Sequence, residues 1–152
     1  MSYAMIQKDA EFTPPTLRPF GDREHPNALR LKKAHECFQT QDFDTLFSIF
    51  ADDIQWHMPG DNVLSGTWIG REGVLRNFSL LFENVDAYWA YPMDYFGSDG
   101  HAVLVARVRA KRRGKLLDCE ECLLFRVGPD GRFSHCFHLS LDEKAWNEFF
   151  AP

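Results

Sequence analysis

Phe50-Ala51-Asp52-Asp53-Ile54-Gln55-Trp56-His57-Met58-Pro59-Gly60, then Leu64-Ser65-Gly66-Thr67-Trp68 and Gly70-Arg71-Glu72-Gly73, is the stretch whose reading decides the fold. A helix ends in Phe-Ala, and two acidic residues turn the chain. A short strand over about 53 to 58 runs into Pro59-Gly60, a pair that stops it. A loop then leads to Gly70, which can cap the next helix.

Outward from this stretch the periodicity is plain. Upstream, Leu29, Leu31, Ala34, His35 and Phe38 form the apolar stripe of a first helix. Asp42 is placed to N-cap a short second helix carrying Phe43, Leu46, Phe47 and Phe50. Downstream, a third helix after Gly70 buries Val74, Leu75, Phe78, Leu81 and Phe82. The remainder reads as strands over about 88 to 96, 101 to 112, 115 to 127 and 132 to 141. They are separated by Gly97-Ser98-Asp99-Gly100, Arg113-Gly114 and Gly128-Pro129-Asp130-Gly131, all of turn composition. A last short helix at about 142 to 150 lays Trp146, Phe149 and Phe150 across one end. Helices followed by mostly antiparallel strands define an α+β domain.

The bulk numbers bound the partners. One domain fits 152 residues, and 45% apolar with 14 Phe gives it a real core. A net charge of −5 offers no electrostatic footprint for nucleic acid or an anionic membrane surface. No apolar run approaches the ~20 residues of a membrane span. The opening Met1 to Asp9 lacks the basic-then-apolar pattern of a signal peptide, and four cysteines are no disulfide scaffold, so the cytoplasm is the expected compartment. Residues 1 to 25, with Pro14, Pro15, Pro19 and Gly21, read as an extended arm ahead of a domain over 26 to 152.

The hairpins let the sheet be read residue by residue. A two-residue turn at Arg113-Gly114 pairs Arg112 with Lys115, Arg109 with Asp118 and Arg107 with Glu120. Two opposite-charge pairs falling in register support that turn. The other face then carries Ala106, Val108 and Ala110 against Glu121, Cys119 and Leu117, and the small Ala106 leaves room beside Glu121. A four-residue loop over 128 to 131 would pair Val127 with Arg132 and set Glu121 opposite His138. Ser134, Cys136, His138 and Ser140 would share that face, with Phe133, Phe137, Leu139 and Leu141 on the other. A three-residue loop with a bulge would slip this register by one.

The Phe-Ala, acidic pair, Trp56-His57-Met58-Pro59-Gly60 and Gly70 order resembles the opening of the SnoaL-like family, relatives of ketosteroid isomerase within the nuclear-transport-factor-like superfamily. The resemblance spans about residues 26 to 150. It implies a cystatin-like conical fold: three N-terminal helices on a curved, mostly antiparallel sheet, a short C-terminal helix, and a pocket for a small organic molecule. It also favours the four-residue loop. The isomerases' general-base carboxylate would fall on Met58, the protonated acid of their oxyanion hole on Leu123, and the tyrosine of their first helix on about Ala34. All three are apolar here, so steroid isomerisation by that apparatus is not expected. Polyketide cyclases and limonene-type epoxide hydrolases of the superfamily keep a carboxylate on the last strand facing the pocket. This chain has His138 at that place.

Three other patterns have plainer readings. Cys119-x-x-Cys122 followed by His135-x-x-His138 has the look of a zinc signature. Residues three apart on a strand point to opposite faces, so Cys119 and His138 part from Cys122 and His135, and no metal site is expected. The basic run Arg107, Arg109, Lys111, Arg112, Arg113 and Lys115 reads as a solvated hairpin balanced by Asp118 and Glu120. The apolar outer face of the last strand, centred on Phe137 and Leu139, suits a second subunit and hence a homodimer.

The expected function is a cofactor-free proton transfer on an apolar small molecule bearing a carbonyl or epoxide. His138 would be the acid/base, since an imidazole of ordinary pKa near 6.5 gives and takes protons at neutral pH. Glu121 would orient it, and Trp56, Met58, Val108, Cys119, Leu123 and Cys136 would line the site. His57, alternating with Trp56 and Met58, falls on the opposite face. A ligand-binding module using the same cavity without chemistry fits these residues equally. A solid dimerisation domain does not, because a polar row beside alanines fills a core badly.

Overall fold

The computed structural model describes residues 24–152. The expected arm lies outside the described residues apart from its last two. The elements are α1 (Pro26–Thr40), α2 (Phe43–Ile49), β1 (Phe50–Met58), β2 (Gly66–Ile69), α3 (Gly70–Glu83), β3 (Ala87–Gly97), β4 (His101–Arg112), β5 (Lys115–Val127), β6 (Phe133–Ser140) and α4 (Glu143–Phe149). They build an α+β domain whose single sheet runs β2-β1-β6-β5-β4-β3. Every pairing is antiparallel except β1 with β6. The first helix packs on β3 and β4, the third on β1 and β2, and α4 on β5 and β6. Among the described residues no helix is long and apolar enough to cross a membrane.

Local chemistry sets the helix ends. Pro26 opens α1, where a missing N–H costs nothing, and the His25 ring accepts from the Asn27 amide. Asp42 caps α2 by accepting from Thr45 N at 3.2 Å, and Asp142 caps α4 by accepting from Ala145 N at 3.0 Å. The start of α1 rests directly on the β3–β4 turn. A Cβ at Gly97 would meet Ala28 N at 2.8 Å, so only glycine permits this approach. The buried stripe of α1 runs through Ala28, Leu31, Ala34, His35 and Cys37, and Leu29 is 52% exposed rather than part of it.

The Arg113-Gly114 turn has both central residues left-handed, at φ 51 and 77°, which is the geometry that matches strand twist. The β4–β5 ladder follows from it as read: Arg112 with Lys115, Arg109 with Asp118, Arg107 with Glu120, and Ala106 with Glu121. The closest ion pair runs diagonally, however. Arg107 donates two bonds to Asp118 at 2.8 and 2.9 Å, and Arg109 approaches the same carboxylate at 3.7 Å.

The β5–β6 hairpin departs from its expected register. Val127 pairs with Phe133 and Arg126 with His135, so Ser134 is the extra residue of a bulge. Arg132 is held in the loop, where its carbonyl accepts from Gly128 N and its amide donates to Asp130. Beyond the bulge Leu123 faces His138, and Glu121 faces Ser140. The slide relative to expectation is two residues, which preserves the side of the sheet on which each residue sits. Glu121 and His138 therefore stay on one face as diagonal neighbours. Phe133 and Ser134 do change sides. Phe133 turns inward against Phe125 and Phe50, with ring centroids 5.0 and 6.4 Å away. Ser134 leaves the inner row and donates to the Arg126 carbonyl.

Two further differences concern β1 and its edge. Phe50 begins the strand rather than ending the second helix, and β1 starts three residues earlier than its alternating pattern shows. The stretch read as loop before Gly70 contains β2, an edge strand with no fully buried residue and so no apolar alternation to reveal it. At the far end of the sheet, buried Arg112 donates to the Phe149 and Ala151 carbonyls at 2.8 and 2.7 Å, and to Asn84. That guanidinium fastens α4 and the chain end across β5 and β6.

Candidate functional site

Between the inner face of the sheet and helices α1, α3 and α4 lies a cavity of about 70 Å³. One water needs ~10–15 Å³ on such a measure, so the space exceeds a solvent site. Its walls are mostly aromatic and aliphatic, with Phe38, Phe50, Trp56, Phe78, Phe125 and Trp146 supplying the rings. Its polar groups are Glu121, His138, His35, Asn77 and Tyr88, and among the described residues no lysine or arginine lines it.

Glu121 on β5 and His138 on β6 form the centre of that polar set. The His138 Nε2 to Glu121 Oε2 distance is 2.7 Å, and the two residues are 5% and 4% exposed. A bond this short between an imidazole nitrogen and a carboxylate is charge-assisted. Glu121 has Ala106 on one side of the ladder and Ser140 on the other, both small, which leaves space over it. The His138 ring lies 4.6 Å from Trp146 of α4. His138 and Trp146 also border a separate depression with Pro59, Ser140 and Glu143.

Of the expected wall residues, Trp56, Met58 and Leu123 line the cavity. Val108, Cys119 and Cys136 are buried but do not. Val108 and Cys119 sit towards the Arg113-Gly114 turn, the end that α4 covers. Cys136 lies between Trp56 and Phe125 on neighbouring strands, and those two rings meet at 5.8 Å, closing over the smaller thiol. Burial pushes the Cys119 thiol up to about 11 and the Cys136 thiol well above its ordinary value. Both stay protonated and carry no nucleophilic chemistry. Ala34, Met58 and Leu123 all touch the cavity with apolar side chains.

Other cavity residues carry polar chemistry that the strand and helix patterns concealed. His35 reads as one more member of an apolar helix stripe, yet its Nδ1 is 2.9 Å from Tyr95 Oη. Burial lowers its pKa to about 4. Tyr88 opens β3 and faces inward. Burial, with the Glu121 charge adding to it, raises its phenol well above the usual range, so it remains an O–H donor. Asn77 of α3 spends its amide on the Leu64 carbonyl at 3.3 Å.

The cysteine and histidine pairs part company as strand alternation requires. Cys119 and His138 face inward, whereas His135 stacks outside on Phe137 beside His57. Among the described residues no group of three or more His, Cys, Asp or Glu side chains could hold a metal. His57 lies on the outer face, with its Nδ1 3.1 Å from Thr67 Oγ1 and its ring 4.7 Å from Phe137.

A curved six-stranded sheet with four helices and an inner cavity is the cystatin-like, nuclear-transport-factor-like class of domain. Residues 31–136 match the SnoaL-like domain family, and the chain belongs to it. An uncharacterised protein of Mycobacterium tuberculosis, Rv0034, is 27% identical over 123 residues, 80% of this chain and 93% of that one. Among solved structures, Bal32a from a soil-derived mobile gene cassette superposes with a TM-score of 0.76 at 27% identity, over 85% of this chain and 99% of its own. TerC co-crystallised with polyporic acid superposes at 0.71 with 18% identity, over 82% and 98% of the two chains.

The His35 shift makes stability depend on pH. Unfolded, the imidazole titrates near 6.5; folded, near 4. Between those values the unfolded chain binds the extra proton, so His35's contribution is full above pH ~6.5 and is lost as pH falls towards 4. The expected loss from this group is roughly 3 kcal/mol. Denaturant unfolding of wild type and His35→Phe across that window reads it, and the variant should fall less steeply. Parallel curves would contradict a buried, neutral His35.

Proposed function

We propose that the chain is a cofactor-free proton-transfer enzyme of isomerase, cyclase or hydrolase type, acting on an apolar, uncharged small molecule with a carbonyl or epoxide. The observation that carries this reading is the 2.7 Å Glu121–His138 bond in the wall of an otherwise apolar cavity. With Nε2 committed to Glu121, Nδ1 is the ring atom left to exchange a proton. The carboxylate stabilises the imidazolium that forms when Nδ1 takes one. Trp56, Met58 and Leu123 hold the apolar body of the substrate. Tyr88 keeps its proton beside Glu121 and offers a further donor.

A binding module without chemistry is the second reading. The apolar residues at Ala34, Met58 and Leu123 favour it, since they remove the isomerases' usual apparatus from the cavity wall. The co-crystallisation of TerC with polyporic acid is consistent with either, because it speaks for small-molecule binding and not for turnover. We further propose a homodimer through the outer face of β6, where Phe137 stacks on His57 and Leu139 and Leu141 are exposed. The domain itself is proposed to start near residue 26 and to work in the cytoplasm, where its free cysteines stay reduced.

Hydrogen–deuterium exchange tests the proton transfer without a known substrate. In D₂O the protein should accelerate exchange of the α-protons of 1-indanone by at least ~100-fold over buffer, as a positioned acid/base does. His138→Ala should abolish the acceleration and Glu121→Gln weaken it, with both variants folded by circular dichroism. Binding of 1-indanone without accelerated exchange would replace the enzyme with the binding module. Sedimentation at micromolar concentration reads the dimer: Phe137→Glu should give monomer or aggregate, and a monomeric wild type would end that proposal.

A further inference from the structure

The cavity has a second polar end, and the Glu121–His138 pair does not use it. His35 lines the cavity from α1 and is 6% exposed. Its Nδ1 meets Tyr95 Oη from β3 at 2.9 Å, with the two rings tilted by 56°. A phenol is a stronger hydrogen-bond donor than acceptor, because its oxygen lone pair is delocalised into the ring. With the Tyr95 hydroxyl donating to Nδ1, the arrangement that donor strength favours, the neutral imidazole carries its proton on Nε2. Nε2–H is then the one polar group that ring has left to give.

The charges around the cavity point the same way. Among the described residues no lysine or arginine lines it, and the carboxylate in its wall is that of Glu121. An anionic ligand would face that carboxylate with no described lysine or arginine to balance it, and would compete with it for His138, at a cost in desolvation. Burial keeps His35 uncharged across the neutral range, so it supplies a donor without a charge.

We propose that His35, held by Tyr95 as the Nε2–H tautomer, is the ligand-orienting donor of this cavity and binds the oxygen of an uncharged carbonyl compound. The Glu121–His138 pair works on β5 and β6, while His35 holds the oxygen from the α1 side. The ligand is accordingly a ketone-like molecule with an apolar body, distinguished from the matching hydrocarbon by one hydrogen bond and from the matching acid by charge. This rests on the reading of the cavity as the ligand site.

The test uses the full chain labelled with ¹⁵N. Long-range ¹H–¹⁵N spectra at neutral pH should show His35 Nε2 protonated and Nδ1 bare, and Tyr95→Phe should release that preference. In titrations followed by the same resonances, 1-indanone should bind about tenfold tighter than indane and shift His35 Nε2, in line with one hydrogen bond to a buried donor. Indane-1-carboxylate should bind more weakly than 1-indanone. His35→Phe should bring 1-indanone and indane to equal affinity while indane itself still binds, which shows that the cavity survives. An Nδ1–H tautomer, equal binding of the two compounds by wild type, or tighter binding of the acid would overturn the assignment. If no compound binds, the cavity is not a ligand site and the proposed function falls with the inference. If 1-indanone is preferred through His35 but its α-protons do not exchange, the enzyme reading falls and the inference stands.

Discussion

Glu121 and His138 are buried together, and neither could be buried alone. An ionised carboxylate taken from water without a partner costs several kcal/mol, and an imidazole forced to stay unpaired costs a lost hydrogen bond. The 2.7 Å contact between them offsets both penalties and ties β5 to β6 through their side chains. It also explains the neighbours. Ala106 and Ser140 flank Glu121 in the ladder, since any large side chain there would close the space that keeps the pair next to a cavity. The aromatic shell from Phe50, Phe125 and Trp56 then encloses an apolar volume with the pair in its wall.

Much of this arrangement is legible in the chain before any coordinate is known, and the reason is strand parity. The Arg113-Gly114 turn admits one geometry, so every pair from Arg112–Lys115 to Ala106–Glu121 follows from it. The next loop does not announce its geometry. Arg132 joins the loop and Ser134 forms a bulge, which moves Glu121 opposite Ser140 rather than His138. The slide is by an even number of residues, so the face of each residue, and hence the pair, is retained through a diagonal contact. Phe133 lies at the bulge itself, where parity breaks, and so it turns inward. Edge strand β2 is illegible for a different reason: its four residues are not buried, and alternation has nothing to mark.

The candidate site was partly legible. Trp56, Met58 and Leu123 reach the cavity because parity and the position of the sheet's curvature suffice to place them. Cys136 has the right parity but is overgrown by its larger neighbours, a packing effect no strand pattern contains. His35 and Tyr88 are hidden by the opposite problem. A histidine within an apolar helix stripe and a tyrosine at a strand start look like ordinary core, and only the convergence of α1 with β3 brings Tyr95 to the His35 ring. Polar chemistry that depends on two distant elements meeting is not written in either one.

Glu121 and His138 act on this site through the 2.7 Å bond between them, and the His138 ring reports on that bond directly. Long-range ¹H–¹⁵N NMR of wild type and Glu121→Gln compares the imidazole with and without its charged partner. In wild type the Nε2 proton is held in a charge-assisted hydrogen bond, so its resonance should move upfield in the variant, where the charged acceptor is gone. An Nε2 proton resonance that is the same in both proteins would contradict the contact and with it the pairing of an imidazole and a carboxylate for proton transfer.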